Sequence, residues 1–120
     1  VFDNLPVKKH TKVYLNWIRE NYDLEPHEAV CEITGTNKSL DICHIVPRGM
    51  GGNPSGNLDD INNLMCMTRV LHYYSEGNLE LMPILKDIHG VFMNTGLPLY
   101  QTQPEKLKEP LIFDLVQRLI

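Results

Sequence analysis

Positive charge is scarce in this chain: 11 Lys and Arg stand against 15 Asp and Glu, for a formal net charge of −4. That balance argues against binding nucleic acid through bulk attraction, which needs clustered Lys and Arg to neutralise phosphates. A local basic face or a bound divalent cation would have to reverse the sign where it matters. The acidic excess is spread along the chain, so neither an acidic tail nor a basic arm stands out. No run reaches the roughly 18 apolar residues of a membrane span, and the N-terminal stretch lacks a signal-peptide pattern. Cysteine is limited to Cys31, Cys43 and Cys66. An odd number without framework spacing excludes a disulfide scaffold and suits a reducing cytoplasm. No Cys-x-x-Cys pair is present, which excludes a four-cysteine zinc site. Internal repeats and low-complexity stretches are also missing.

What is there is a chain of 120 residues, the length of one ordinary domain, with 42% hydrophobic residues to build a core. From Lys8 to Asn21 the apolar residues Val13, Tyr14, Trp17 and Ile18 form a helical stripe, decorated by Lys8, Lys9, Lys12 and Arg19. A break follows at Glu25-Pro26-His27. Cys31 to Gly35 reads as a short strand entering a turn. Leu40 to Val46 reads as a second strand, stopped by Pro47. The segment from Arg48 to Asn57 is rich in glycine, proline and asparagine and predicts an open loop. Asn63 to Met67 can pair back as a strand. Thr68 is placed to cap a short helix from Arg69 to about Glu76, closed by Gly77. Leu79 to Met93 is a further helix, started or kinked by Pro83 and ended by Gly96 and Pro98. A last helix is expected over residues 110–120, with Leu111, Ile112, Leu115, Val116 and Leu119 facing in. The expectation is a small α+β fold in which a β-hairpin and short helix are wrapped by helices from both ends.

The chemistry concentrates in the middle. His72 and Glu76 are four apart on the expected helix and project from one face. At that spacing an imidazole and a carboxylate can chelate one divalent cation. His44 follows Cys43 on the strand; the two point to opposite faces unless the strand bends, which Pro47 and the glycines beyond it permit. A neutral imidazole beside a metal, but not bound to it, can take a proton from water at physiological pH. Asn63 is placed to hydrogen-bond across the loop and hold the His-bearing strand, with Asn62 as its rival. The reading requires the imidazoles of His44 and His72 to converge on a shared cation. His10, His27 and His89 have no partner in sequence and receive no assignment.

Residues Asp41-Ile42-Cys43-His44-Ile45-Val46-Pro47-Arg48-Gly49-Met50-Gly51-Gly52, then Asn63-Leu64, then His72 nine residues on, resemble the HNH (ββα-metal) endonuclease family, closest to its small phage and prophage members. The resemblance also takes in Cys31-Glu32-Ile33-Thr34-Gly35 and the stretch from Asn63 to Tyr74, and covers a core of about residues 30–78. Flanks at 7–22 and 79–120 complete what is expected to be a single domain, 1–120, and are not explained by the resemblance.

The resemblance implies His44 as the general base, Asn63 as the orienting residue and His72 as a metal ligand. It implies Glu76 as a second helical ligand, and Arg48 stands where a cation could hold a phosphate. Cys43 departs from the pattern, because the family usually places a His or Asp ligand there. A thiolate suits zinc and not magnesium, so Cys43 is a soft-metal ligand, a bystander, or the mark of a weakened site. Cys31 and Cys66 stand where zinc-bearing members begin cysteine pairs, but Thr34 and Arg69 occupy the partner positions, and buried free thiols are expected.

The implied activity is hydrolysis of DNA phosphodiester bonds with one divalent metal ion (Mg, Mn, Ni or Zn). The alternative is a catalytically weakened HNH-fold module that binds nucleic acid or acts as an adaptor. The implied partner is DNA, with no membrane. A homodimer or a partner protein could supply specificity, and Lys8, Lys9 and Lys12 are candidates for backbone contacts. The implied location is the cytoplasm, that of the host if the chain is phage-encoded.

Overall fold

The computed structural model describes residues 8–47 and 58–119. The order is α1 (Lys9–Tyr22), β1 (Leu40–His44), β2 (Leu64–Thr68), α2 (Arg69–Ser75), α3 (Met82–Thr95), α4 (Leu99–Thr102) and α5 (Pro110–Gln117), with a one-turn 3-10 segment at Ile61–Asn63 leading into β2. β1 and β2 form an antiparallel pair in the register Leu40↔Thr68, Ile42↔Cys66 and His44↔Leu64. The architecture is α+β: a hairpin followed by a helix, with helices before and after it.

Every residue of β2 is buried, so this strand is covered on both faces. Its apolar run Leu64-Met65-Cys66-Met67 is what such a strand needs. α1 supplies Tyr14 and Ile18 to the core; α3 supplies Leu85, Ile88 and Phe92; α5 supplies Ile112 and Leu115. Helix ends follow local chemistry. The Thr68 hydroxyl accepts from Leu71 N (3.2 Å) and starts α2 straight off the strand. Gly96, at φ 72°, closes α3 by donating its N–H to the Phe92 carbonyl. Pro83 sits in the first turn of α3, where its missing N–H costs nothing.

Three sequence expectations are corrected. Cys31–Gly35 is a turn. Gly35, in the left-handed region at φ 80°, donates its N–H to the Cys31 carbonyl, and Thr34 N–H points at the Cys31 sulfur. Only one rung, Glu32 N–H to the Cys66 carbonyl, reaches the sheet. α3 begins at Met82, and Leu79 lies exposed before it. α5 ends at Gln117, so Leu119 lies past the last turn and is exposed rather than inward. α4 and the 3-10 turn at Pro104–Lys108 carry no periodicity long enough to read.

Candidate functional site

Alternation along β1 places Ile42 and His44 on one face of the hairpin and Asp41 and Cys43 on the other. α1 lies on the first face. His10 donates its Nε2–H to the Ile42 carbonyl (3.0 Å), and its ring sits 4.6 Å from that of His44, centroid to centroid. Burial first, and then the neighbouring His44, lower the His10 pKa below its ordinary 6.5, which favours the neutral ring. α2 folds over the second face, where His72 Nδ1 donates to Asp41 Oδ2 at 3.1 Å.

His44 is the last residue of β1, with Nε2 2.7 Å from Asp59 Oδ1. Opposite a carboxylate that nitrogen donates, which fixes the tautomer and leaves Nδ1 with the lone pair. Asp59 was not singled out from sequence. Its only signal is its position four residues before Asn63, in a loop whose path the sequence does not give.

Asn63 continues the ladder beyond the end of β1. Its Oδ1 accepts from Val46 N (2.8 Å); its Nδ2 donates to the Val46 carbonyl (3.1 Å) and to the Leu58 carbonyl (3.0 Å). One amide thus clips the chain at Val46 to the chain at Leu58. The rival, Asn62, is exposed, and its backbone and side-chain N–H groups both donate to Oδ1 of Asp60, which caps the 3-10 turn. Arg48 lies outside the described residues.

On the opposite face His72 is held between two carboxylates. Its Nδ1 meets Asp41, and its Nε2 lies 3.3 Å from Glu76 Oε2. Two ligands of one ion at bond lengths near 2.0–2.2 Å sit roughly 3–3.5 Å apart, so the Nε2–Oε2 pair fits a shared divalent cation. Asp41 would then be the outer partner that orients the imidazole. Cys43 is not part of that pair. Its side chain is 1% exposed within the core, its thiol points at the Asp41 carbonyl (3.7 Å), and burial pushes its pKa well up. A thiol held protonated is a poor ligand. The structure therefore places the two expected imidazoles in different groups, on opposite faces of β1, and the convergence of His44 and His72 on one shared cation expected from sequence is not found.

Among the described residues, one set of three potential ligands gathers: His10, His44 and Asp59, each offering one donor atom within 4.8 Å of the others.

A second network was also missed. Glu32 and His89 are 0% and 1% exposed. His89 Nδ1–H donates to Glu32 Oε1 (2.7 Å) and Nε2–H to the Ile61 carbonyl (2.6 Å). The other carboxylate oxygen of Glu32 accepts from the Tyr14 hydroxyl and from Cys66 N (3.0 Å). With acceptors at both ring nitrogens, His89 carries both protons. Burial opposes that charge, but the Glu32 hydrogen bond and charge, joined by Ile61, outweigh it and raise the His89 pKa. The pair fixes the 3-10 turn that delivers Asn63.

Comparison with the curated proteins and with solved structures gives no significant match. Residues 31–75 match the family model described as HNH endonuclease, and that span runs from the Cys31 turn through β1, Asn63 and β2 to the end of α2. Over this segment, which is less than half of its length, the chain is similar to the HNH endonuclease family.

Proposed function

We propose that the chain is a divalent-metal-dependent endonuclease that hydrolyses DNA phosphodiester bonds, with His44 as general base. HNH nucleases act on DNA and generally use a divalent metal, and the observation that most supports the finer reading is the holding of His44. Its Nε2–H is engaged by Asp59, and the chain beyond it is clipped by Asn63. In this reading the His44 lone pair accepts a proton from water as the oxygen forms its bond to phosphorus, and the bond from phosphorus to the 3′ oxygen breaks. Asp59 and Asn63 are positioning residues. His72 and Glu76, across β1 from His44, are the residues that would hold the ion, with Asp41 orienting His72, so in this reading base and ion act from separate groups and share no ligand. The ion supplies Lewis-acid stabilisation of the charge on the phosphate and the leaving oxygen.

The net charge of −4 makes the location of the cations important. Lys8, Lys9 and Lys12 are exposed at the start of the helix whose His10 ring packs, tilted, against His44, so the basic cluster borders the proposed base. It is suited to phosphate contacts that position the backbone without reading bases. The burial of Cys43 favours one second reading, a weakened module that binds nucleic acid, because it leaves the ion without the strand ligand usual in the family.

The test is incubation of supercoiled, linear, single-stranded and branched DNA with Mg, Mn, Ni and Zn in turn, alongside His44→Ala. Cleavage with at least one metal, reduced about 100- to 10,000-fold in the variant, is the expected result. Intact DNA under every condition, with binding retained, would establish the second reading instead.

A further inference from the structure

We propose that His10, His44 and Asp59 form a site for one transition-metal ion of zinc's class, separate from the His72–Glu76 pair. The three residues come from α1, the end of β1 and the loop before the Ile61–Asn63 turn, yet their donor atoms lie within 4.8 Å of one another. Two imidazoles and a carboxylate are a set that zinc takes, with water completing four-coordination. Magnesium, which prefers oxygen donors, does not favour such a set. Zinc's bond lengths place neighbouring donors about 3–3.5 Å apart, and the three donor atoms, none more than 4.8 Å from another, lie near that spacing.

Two features of the surroundings suit an ion. The His10 Nε2–H is already committed to the Ile42 carbonyl, at 3.0 Å. That is the outer hydrogen bond that orients a ligating imidazole and turns Nδ1, with its lone pair, into the ligand. The His44 and Asp59 side chains are 15% and 10% exposed, so the site is sheltered but reachable from solvent.

The ion site rests on this geometry alone; its consequence for cleavage rests on the nuclease reading. An ion on the trio occupies the residue proposed to take the proton from water. Zinc at this site therefore opposes the cleavage that an ion at His72 and Glu76 supports, and α1, which lies outside the matched family segment, brings the regulatory ligand.

The experiment titrates the full chain, without DNA, with cobalt(II) followed by its visible absorption, and with zinc by calorimetry. Wild type is compared with His10→Gln, Asp59→Asn and His72→Ala, each checked by circular dichroism. The proposal expects a zinc site weakened at least about tenfold in folded His10→Gln and folded Asp59→Asn, and retained in His72→Ala. Zinc affinity unchanged in both of the first two variants, or abolished by His72→Ala, overturns it. A separate arm adds zinc to a reaction run with manganese. Inhibition that is relieved in His10→Gln supports the regulatory consequence, and inhibition equal in both proteins overturns that consequence. Absence of cleavage altogether would count against the nuclease reading and leave the calorimetric result standing.

Discussion

Asn63 matters because of what an amide has and a carboxylate or methyl lacks: an acceptor and two donors on one planar group. It uses all three, on Val46 N, Val46 O and Leu58 O. Asn63→Asp keeps the shape and loses both donors, leaving two carbonyls facing a carboxylate. A loss of about 2–4 kcal/mol is expected, visible as a melting temperature lowered by roughly 10 °C, together with reduced cleavage. An unchanged melting curve would show that the clip is not formed. Cys43 gives the opposite expectation. Since its thiol is in the core and held protonated, Cys43→Ala should cost about 1 kcal/mol of stability and leave calorimetric affinity for magnesium and manganese within about twofold. A large loss of affinity would restore it as a ligand. At this scale the sequence was readable where spacing carries the signal: His72 and Glu76 do meet, as their four-residue separation implies. It was unreadable where a partner arrives from a distant segment, as Asp59 and His10 do for His44.

Among the elements, the buried Glu32–His89 pair binds the most parts together. It links the Cys31 turn, α1 through Tyr14, β2 through Cys66 N, α3, and the turn carrying Ile61. Folding favours protonated His89, because its folded pKa is raised above the ordinary 6.5. The stabilisation is therefore complete below about pH 6.5, where the unfolded chain is also protonated, and is lost as pH rises through the raised folded value. Thermal melts at stepped pH should show stability falling on the alkaline side, and a folded His89→Gln variant should lack that component of the slope. Identical slopes would remove the assignment. Glu32→Gln removes one partner of a buried ion pair and should cost about 3–5 kcal/mol. No sequence pattern announced this pair, since 57 residues separate its members and Glu32 stands in a segment that reads as a strand lead-in. The helices were legible where an apolar stripe ran for several turns, as in α1 and α3. Single-turn segments such as α4 have no such repeat.

Taken whole, the molecule surrounds a short family segment with a core it does not itself own. Residues 31–75 match the HNH endonuclease family, but Tyr14, Ile18, Leu85, Ile88, Phe92, Ile112 and Leu115, all buried, come from the flanks. A peptide of residues 31–75 lacks those contacts and is near the size at which a chain cannot bury enough surface to fold alone. Its circular dichroism should be that of a largely unfolded chain, and a cooperative thermal transition in the isolated peptide would contradict this. The α+β architecture could be read in advance because the strand pair and the capped helix lie next to each other in sequence. The covering of both faces could not, because it depends on where α1 and α5 return. The central claim, that His44 takes the proton from water, is tested most directly by chemical rescue. Plasmid cleavage by His44→Ala is measured as free imidazole is added, in the metal that best supports the wild type. The account predicts an inactive variant whose activity rises with imidazole concentration while the wild type is unaffected. A variant that cleaves like the wild type with no imidazole present would contradict it.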